Sequence, residues 1–206
     1  MPPGVLTRPW VAALVLAVVA GGLAGCSGPA PNTVAGRAGQ AGSQGYIAGD
    51  GTLERLAVEQ RAEPVLLAGQ TLQGAAWSSD QALGKVVVLN VWGSWCPPCE
   101  AEMVHLQSVW SQLSGAGRPV AFVGINIKES PQTASAAATR YGLTYPSLAD
   151  DGGRALMALQ GRVSAPPTTL VLDRSGRIAA RISGPVTSPA TLRDLIEAVL
   201  AEPASA

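Results

Sequence analysis

The chain is poor in the residues that metal and nucleic-acid sites are built from. Its 206 residues include one histidine and three cysteines. A structural zinc site needs four ligands, normally two Cys-x-x-Cys pairs or one such pair with two histidines, and Cys96, Cys99 and His105 cannot supply them. Lys+Arg and Asp+Glu stand at 14 each, for a formal net charge of zero. Without a basic excess or a basic run interleaved with aromatics, no nucleic-acid partner is expected. There is no internal repeat. At 47% hydrophobic, this length is enough to bury one core and too short for two ordinary domains.

The N-terminus is a different kind of sequence from the rest. Arg8 precedes Val11 to Ala20, an apolar run too short to hold a bilayer as a stable span, and small residues follow up to Cys26. Residues 1–25 therefore read as a signal peptide. "LAGC", Leu23 to Cys26, resembles the lipobox of bacterial lipoproteins, which implies a lipid on Cys26, a membrane anchor through it, and a mature protein on the outer face of the cytoplasmic membrane. Residues 26–49, rich in Gly, Ala, Ser and Gln, show no apolar period and read as a flexible tether. One folded domain is expected over 50–203. A hairpin around Gly49-Asp50-Gly51 would add edge strands at its start.

"KVVVLNVW", Lys85 to Trp92, is a nearly continuous β-branched run of strand length, as in a central strand covered on both faces. After "GSWCPPC", the residues Met103, Leu106, Val109, Trp110 and Leu113 recur at spacings of three and four, which predicts an amphipathic helix ending near Gly115. "PVAFVGINI", Pro119 to Ile127, is a second buried strand. Ser130-Pro131 and Ser188-Pro189 each place a capping residue before a proline and predict two further helices. A short helical piece is expected at 154–159. "TTLVLD", Thr168 to Asp173, and "RIAARI", Arg177 to Ile182, read as a hairpin. The order βαβα then ββα describes an α/β fold with a mixed central sheet flanked by helices.

Strand, Cys-x-x-Cys, helix is the local order around Cys96 and Cys99. A purely structural disulfide between them would close a very small loop and remove little entropy from the unfolded chain. Thiol–disulfide exchange fits better. Cys96 stands just ahead of a helix, where unpaired N–H groups and the dipole stabilise a thiolate, while Cys99 falls one turn inside and is shielded. Cys96 is then the nucleophile and Cys99 the resolving thiol, which attacks Cys96 once a substrate is attached. An exported location is an oxidising one, in which disulfides persist. A lipid on Cys26 would account for the odd cysteine.

"VVVLNVWGSWCPPCEAE" resembles the thioredoxin fold, and more closely the TlpA and ResA group of membrane-tethered thiol–disulfide oxidoreductases, several of which reduce the haem-attachment cysteines of apocytochrome c. The resemblance covers about Ala68 to the C-terminus. It implies a thioredoxin-like fold, exported disulfide substrates with apocytochrome c first among them, a CcdA-type membrane electron donor, and no cofactor. It also implies that Glu102, three residues after Cys99, lies by the active site, tunes the cysteines and takes the proton Cys99 must lose. The competing reading of Glu102 is an exposed first-turn carboxylate favoured by the helix dipole, as for Glu100. Pro167 aligns with the cis proline that packs beside the cysteines, so Trp95, Pro97, Pro98, Pro166, Pro167 and Thr168 are the expected substrate-binding residues. Pro166 lacks an N–H, which leaves only its carbonyl to a substrate strand added there. Pro97 and Pro98 give the sulfur neither charge nor N–H, which favours a reductant. A general disulfide oxidase or isomerase remains the alternative. A peroxidase is a weaker one, since peroxiredoxins place Thr where Gly93 stands, and a lipoprotein that merely binds a partner would need neither cysteine.

Overall fold

The structure is a computed structural model that describes residues 51–203. The signal peptide, the tether and Cys26 lie outside the described residues.

The sheet is built outward from β4 (Val86–Trp92), every residue of which is buried. Its β-branched side chains suit a strand packed on both faces. Parallel to β4 runs β5 (Val120–Ile127), followed by a parallel β6 (Ser147–Asp150). On the other side β7 (Thr168–Leu172) is antiparallel to β4, β8 (Ile178–Ser183) antiparallel to β7, and β1 (Thr52–Arg55) antiparallel to β8. The spatial order is β1-β8-β7-β4-β5-β6. This is the mixed sheet that the sequence leads one to expect, with β6 as an addition.

Among the described residues four α-helices accompany these strands: α1 (Pro97–Gly115), α2 (Pro131–Arg140), α3 (Arg154–Ala158) and, after β8, α4 (Pro189–Leu200). Ser130 Oγ accepts from the Thr133 N–H at 3.2 Å and Ser188 Oγ from the Thr191 N–H at 3.3 Å, the two caps anticipated from Ser-Pro. The even-numbered residues of β4, Val86, Val88 and Trp92, pack with α1, α2 and α4 in one core cluster. The odd-numbered ones, Val87, Leu89 and Val91, pack with Ile125, Leu170 and Leu159 in another. That second face is covered by little helix; the irregular segment carrying Val65 and Leu67 and the short α3 do the work.

The N-terminal β-hairpin extension takes a different form from the one expected. The turn around Gly49-Asp50 lies outside the described residues, and β1 after it pairs with β8, more than a hundred residues later in sequence. The hairpin that is present joins β2 (Ala68–Gln70) to β3 (Ala76–Ser78), in register Gly69 to Trp77. Arg61, its side chain buried, then ties this N-terminal part to Asp173 at 2.9 Å and to Glu202 at 2.6 Å.

One glycine of β5 decides how the last residue of β4 sits. A Cβ on Gly124 would lie 2.1 Å from Ser147 Oγ and 2.7 Å from Trp92 Nε1. Those two atoms hydrogen-bond to each other at 3.3 Å, the buried indole N–H donating to the hydroxyl. Since backbone on either side is locked in the sheet, an added methyl must displace Trp92 or Ser147. Gly124→Ala should therefore lower unfolding stability by about 1–3 kcal/mol. A urea midpoint equal to that of the parent would show that the indole can move without cost.

Candidate active site

At the end of β4 the chain turns through Gly93-Ser94-Trp95 into α1, and the side chains of that turn are held by hydrogen bonds. A Cβ on Gly93 would fall 2.5 Å from Trp95 Nε1, so only glycine lets the indole fold back over the turn. The Trp95 indole N–H donates to Ile127 O at 3.1 Å. The Ser94 N–H donates to Glu129 Oε1 at 2.7 Å, the Ser94 hydroxyl bonds Glu129 Oε2, and Asn126 Nδ2 donates to Glu129 Oε1 at 2.6 Å. Lys128, at φ 59°, takes the left-handed conformation that folds Glu129 back towards Ser94. Trp95 is half-buried against both core clusters, at once packing residue and rim. Glu129, Asn126 and Ser94 escaped the sequence reading, because Lys128-Glu129-Ser130 looks like an ordinary polar turn.

Cys96 and Cys99 form a disulfide, S–S 2.06 Å with Cα atoms 5.2 Å apart. Cys96 is the N-cap of α1. Pro97 and Pro98, at the first two helical positions, have no N–H to offer. The first donors are the Cys99 and Glu100 N–H groups, which bond Cys96 O at 3.0 and 3.2 Å; the Cys99 N–H also reaches Cys96 Sγ at 3.3 Å. One backbone donor is thus aimed at the sulfur despite the prolines. Pro97 is exposed and Pro98 half-buried. Both cysteines are fully buried in this form, Cys96 as much as Cys99, which was expected to be shielded.

Glu102 is no surface residue. It is 1% exposed and lies on the buried stripe of α1 with Cys99, Met103 and Leu106. Its Oε1 accepts from Asn90 Nδ2 at 2.7 Å and its Oε2 from the Val186 N–H at 2.7 Å. Asn90 Nδ2 also reaches Thr169 Oγ1 at 3.1 Å. Burial raises the carboxyl from 4.5 to about 7, against the pull of the Val186 and Asn90 hydrogen bonds, which favour the charged form. The phenol of Tyr145 is pushed up by its own burial and by the Glu102 charge. A group near half-ionised at neutral pH, one helical turn beyond Cys99, can take or give a proton there. Asn90 had a visible signal in sequence, as the one polar residue of "VVVLNVW"; Thr169 and Val186 had none.

The Pro166–Pro167 peptide bond is cis, as the resemblance implies, and both prolines are buried. Pro167 O accepts from the Gly184 N–H at 2.9 Å. Thr168 pairs with Val91 in the β4–β7 ladder, but its hydroxyl donates to Ala165 O at 2.7 Å and its side chain is buried, so it closes the turn instead of facing a ligand.

A model of the Redoxin family matches residues 57–199, most of the chain. The chain belongs to that family. Among curated Redoxin relatives, the thiol-disulfide oxidoreductase ResA of Halalkalibacterium halodurans is 33% identical over 118 residues, 57% of this chain and 65% of that one. The thiol:disulfide interchange protein HelX of Rhodobacter capsulatus is 36% identical over 104 residues, 50% and 55% of the two chains. The match thus spans less than two thirds of these relatives' length. A secreted thiol-disulfide isomerase from Corynebacterium glutamicum superposes with a TM-score of 0.68 at 30% identity, over 74% of this chain and 95% of that one. The fold is accordingly thioredoxin-like, and a Cys-x-x-Cys disulfide stands at Cys96 and Cys99.

Glu102 should leave a mark on stability. Its carboxyl is raised, so between about pH 4.5 and 7 the folded protein holds a proton that the unfolded chain has released. Stability must then fall as pH rises through that window, being full below it and lost above it, by on the order of 3 kcal/mol. In Glu102→Gln this slope should vanish. Urea unfolding of the disulfide form at about pH 5 and about pH 8 tests it; the same slope in both proteins would assign the effect to other groups.

Proposed function

We propose that this protein is an extracytoplasmic thiol–disulfide oxidoreductase that reduces disulfides in exported proteins, apocytochrome c during cytochrome c maturation first among them. The observation that carries this reading is the buried Glu102 carboxyl on the Cys99 side of the pair, held by Asn90 and Val186 with no cation bonded to it among the described residues. Such a group suits a thiol that must lose its proton in mid-cycle. The names of the ResA and HelX relatives support the same class of reaction.

In this reading the Cys96 thiolate attacks a substrate disulfide, one substrate sulfur leaves with the electron pair, and Cys96 is joined to the other. Cys99 gives its proton to Glu102 and attacks Cys96 Sγ; the mixed disulfide breaks and the second substrate sulfur leaves as a thiolate. Two electrons pass to the substrate and the Cys96–Cys99 disulfide remains. Trp95, Pro97, Pro98 and Pro167 form the apolar surroundings of the exchange, and the lipid on Cys26 keeps the domain beside a CcdA-type donor that restores the dithiol. A second reading, disulfide isomerase or oxidase, draws support from the Corynebacterium glutamicum isomerase and from the Cys99 N–H aimed at Cys96 Sγ, which would favour the thiolate.

The reduction potential separates the two. Equilibrated in thiol buffers and read by alkylation, the pair should fall near or below thioredoxin's value of about −270 mV; a value closer to about −120 mV would move the protein to the disulfide-forming class. In cells, Cys99→Ser should accumulate mixed disulfides through Cys96, recoverable on a non-reducing gel. A Cys96→Ser strain with normal cytochrome c content would remove apocytochrome c from the proposal.

A further inference from the structure

The support beneath Glu102 contains an atom with nothing to do. Asn90 and Thr169 face each other directly across the β4–β7 ladder. Both side chains point to the α1 side of the sheet, where they are a polar pair in an apolar layer, each 1% exposed. Asn90 Nδ2 serves two acceptors, Glu102 Oε1 at 2.7 Å and Thr169 Oγ1 at 3.1 Å. Asn90 Oδ1, equally buried, takes no hydrogen bond from any donor among the described residues. This arrangement matches a charged Glu102, whose two oxygens only accept.

A protonated Glu102 needs a different arrangement. Oε2 faces the Val186 backbone N–H, a donor that cannot turn round. The proton therefore belongs on Oε1, where it meets Asn90 Nδ2, donor against donor. A half-turn of the amide about its last side-chain torsion exchanges Nδ2 and Oδ1 in place. The oxygen then accepts from the Glu102 O–H and from the Thr169 hydroxyl, which can donate as readily as it accepts. Each orientation leaves one end of the amide unpaired, so neither is favoured by that count alone.

We propose that the Asn90 amide turns over as Glu102 takes up the Cys99 proton, making Asn90 and Thr169 a two-way support that accommodates both states of the carboxyl. Asn90 is thus a positioning residue, acting through Glu102. The inference rests on the reading of Glu102 as the proton acceptor. Among the described residues, Asn90 on β4 and the Val186 N–H before α4 hydrogen-bond Glu102, Thr169 on β7 stands behind Asn90, Cys99 lies one helical turn away on α1, and Tyr145 ahead of β6, whose phenol stays protonated, feels the Glu102 charge. In the proposed cycle Cys99 is the proton donor, and no proton is created or lost when the amide turns.

The full chain, reduced, with carboxyl-13C Glu and side-chain-15N Asn, tests both claims in one sample. Glu102 and Asn90 signals are assigned by their loss in Glu102→Gln and Asn90→Leu. The expected result is that the Glu102 carboxyl and the Asn90 side-chain amide titrate with one midpoint, and that contacts between the amide protons and the Thr169 methyl change across it. A carboxyl that titrates beside an unchanging amide would overturn the turning amide and leave the role of Glu102 standing. No carboxyl titration between about pH 5 and about pH 9 would overturn both. Asn90→Leu gives a second readout. Removing a fixed donor to a charged group should raise the Glu102 midpoint by about one unit or more. Removing a support that serves both states should leave it within about half a unit, as the proposal requires.

Discussion

Everything at this site depends on a carboxyl group taken out of water without a counter-charge. An ionised carboxylate in an apolar core is costly, and proteins resolve the cost by pairing the charge, by hydrogen-bonding it, or by letting it take up a proton. Here the first remedy is missing: among the described residues no salt bridge involves Glu102. The second is half applied, with one donor on each oxygen. The outcome is the third, a group balanced near neutrality. An arginine in place of Asn90 would pair the charge and hold the carboxyl ionised.

The topology explains how four distant stretches of chain reach this one group. β4 is central, so its two neighbours bring β5 and β7 to the end where α1 begins. β7, being antiparallel, starts where β4 finishes, which puts the cis Pro167 and Thr168 at the same end of the sheet as the cysteines and Thr169 one step further in, across from Asn90. β8 returns to that end and delivers the loop carrying Val186 beneath α1. Glu102 then closes the set from above. α4 packs on α1 in the same core cluster as Val186, Cys96 and Cys99, so Leu192 and Ile196 belong to the body that carries the site.

Much of this was legible in the residues, for reasons that differ element by element. β4 and β5 are long apolar runs and α2 and α4 announce themselves through Ser-Pro caps, all of them local signals. β6 was missed because it has only four residues, two of them polar, and exists by pairing with β5. β1 was expected in a local hairpin and found its partner in β8, a choice that depends on tertiary packing. Cys96, Cys99 and Glu102 were found because motif spacing survives in sequence. Asn90 could be seen to be odd but not to be a partner of Glu102, since that requires the register of β4 on β7. Glu129 was invisible, because what makes it matter is where Lys128 turns it.

The bond network around Cys96 bears on the direction of electron flow. Two prolines delete the first two N–H groups that a helix start would present to a thiolate, and what is left is the Cys99 N–H, shared between Cys96 O and Sγ. Fewer donors to a thiolate stabilise the dithiol form less, which is the property the proposed reductant role draws on. On the other side of the pair, a carboxyl near half-ionised resists accumulation of a second negative charge at Cys99 yet can remove its proton when the attack begins. The two features act on different sulfurs and push the same way.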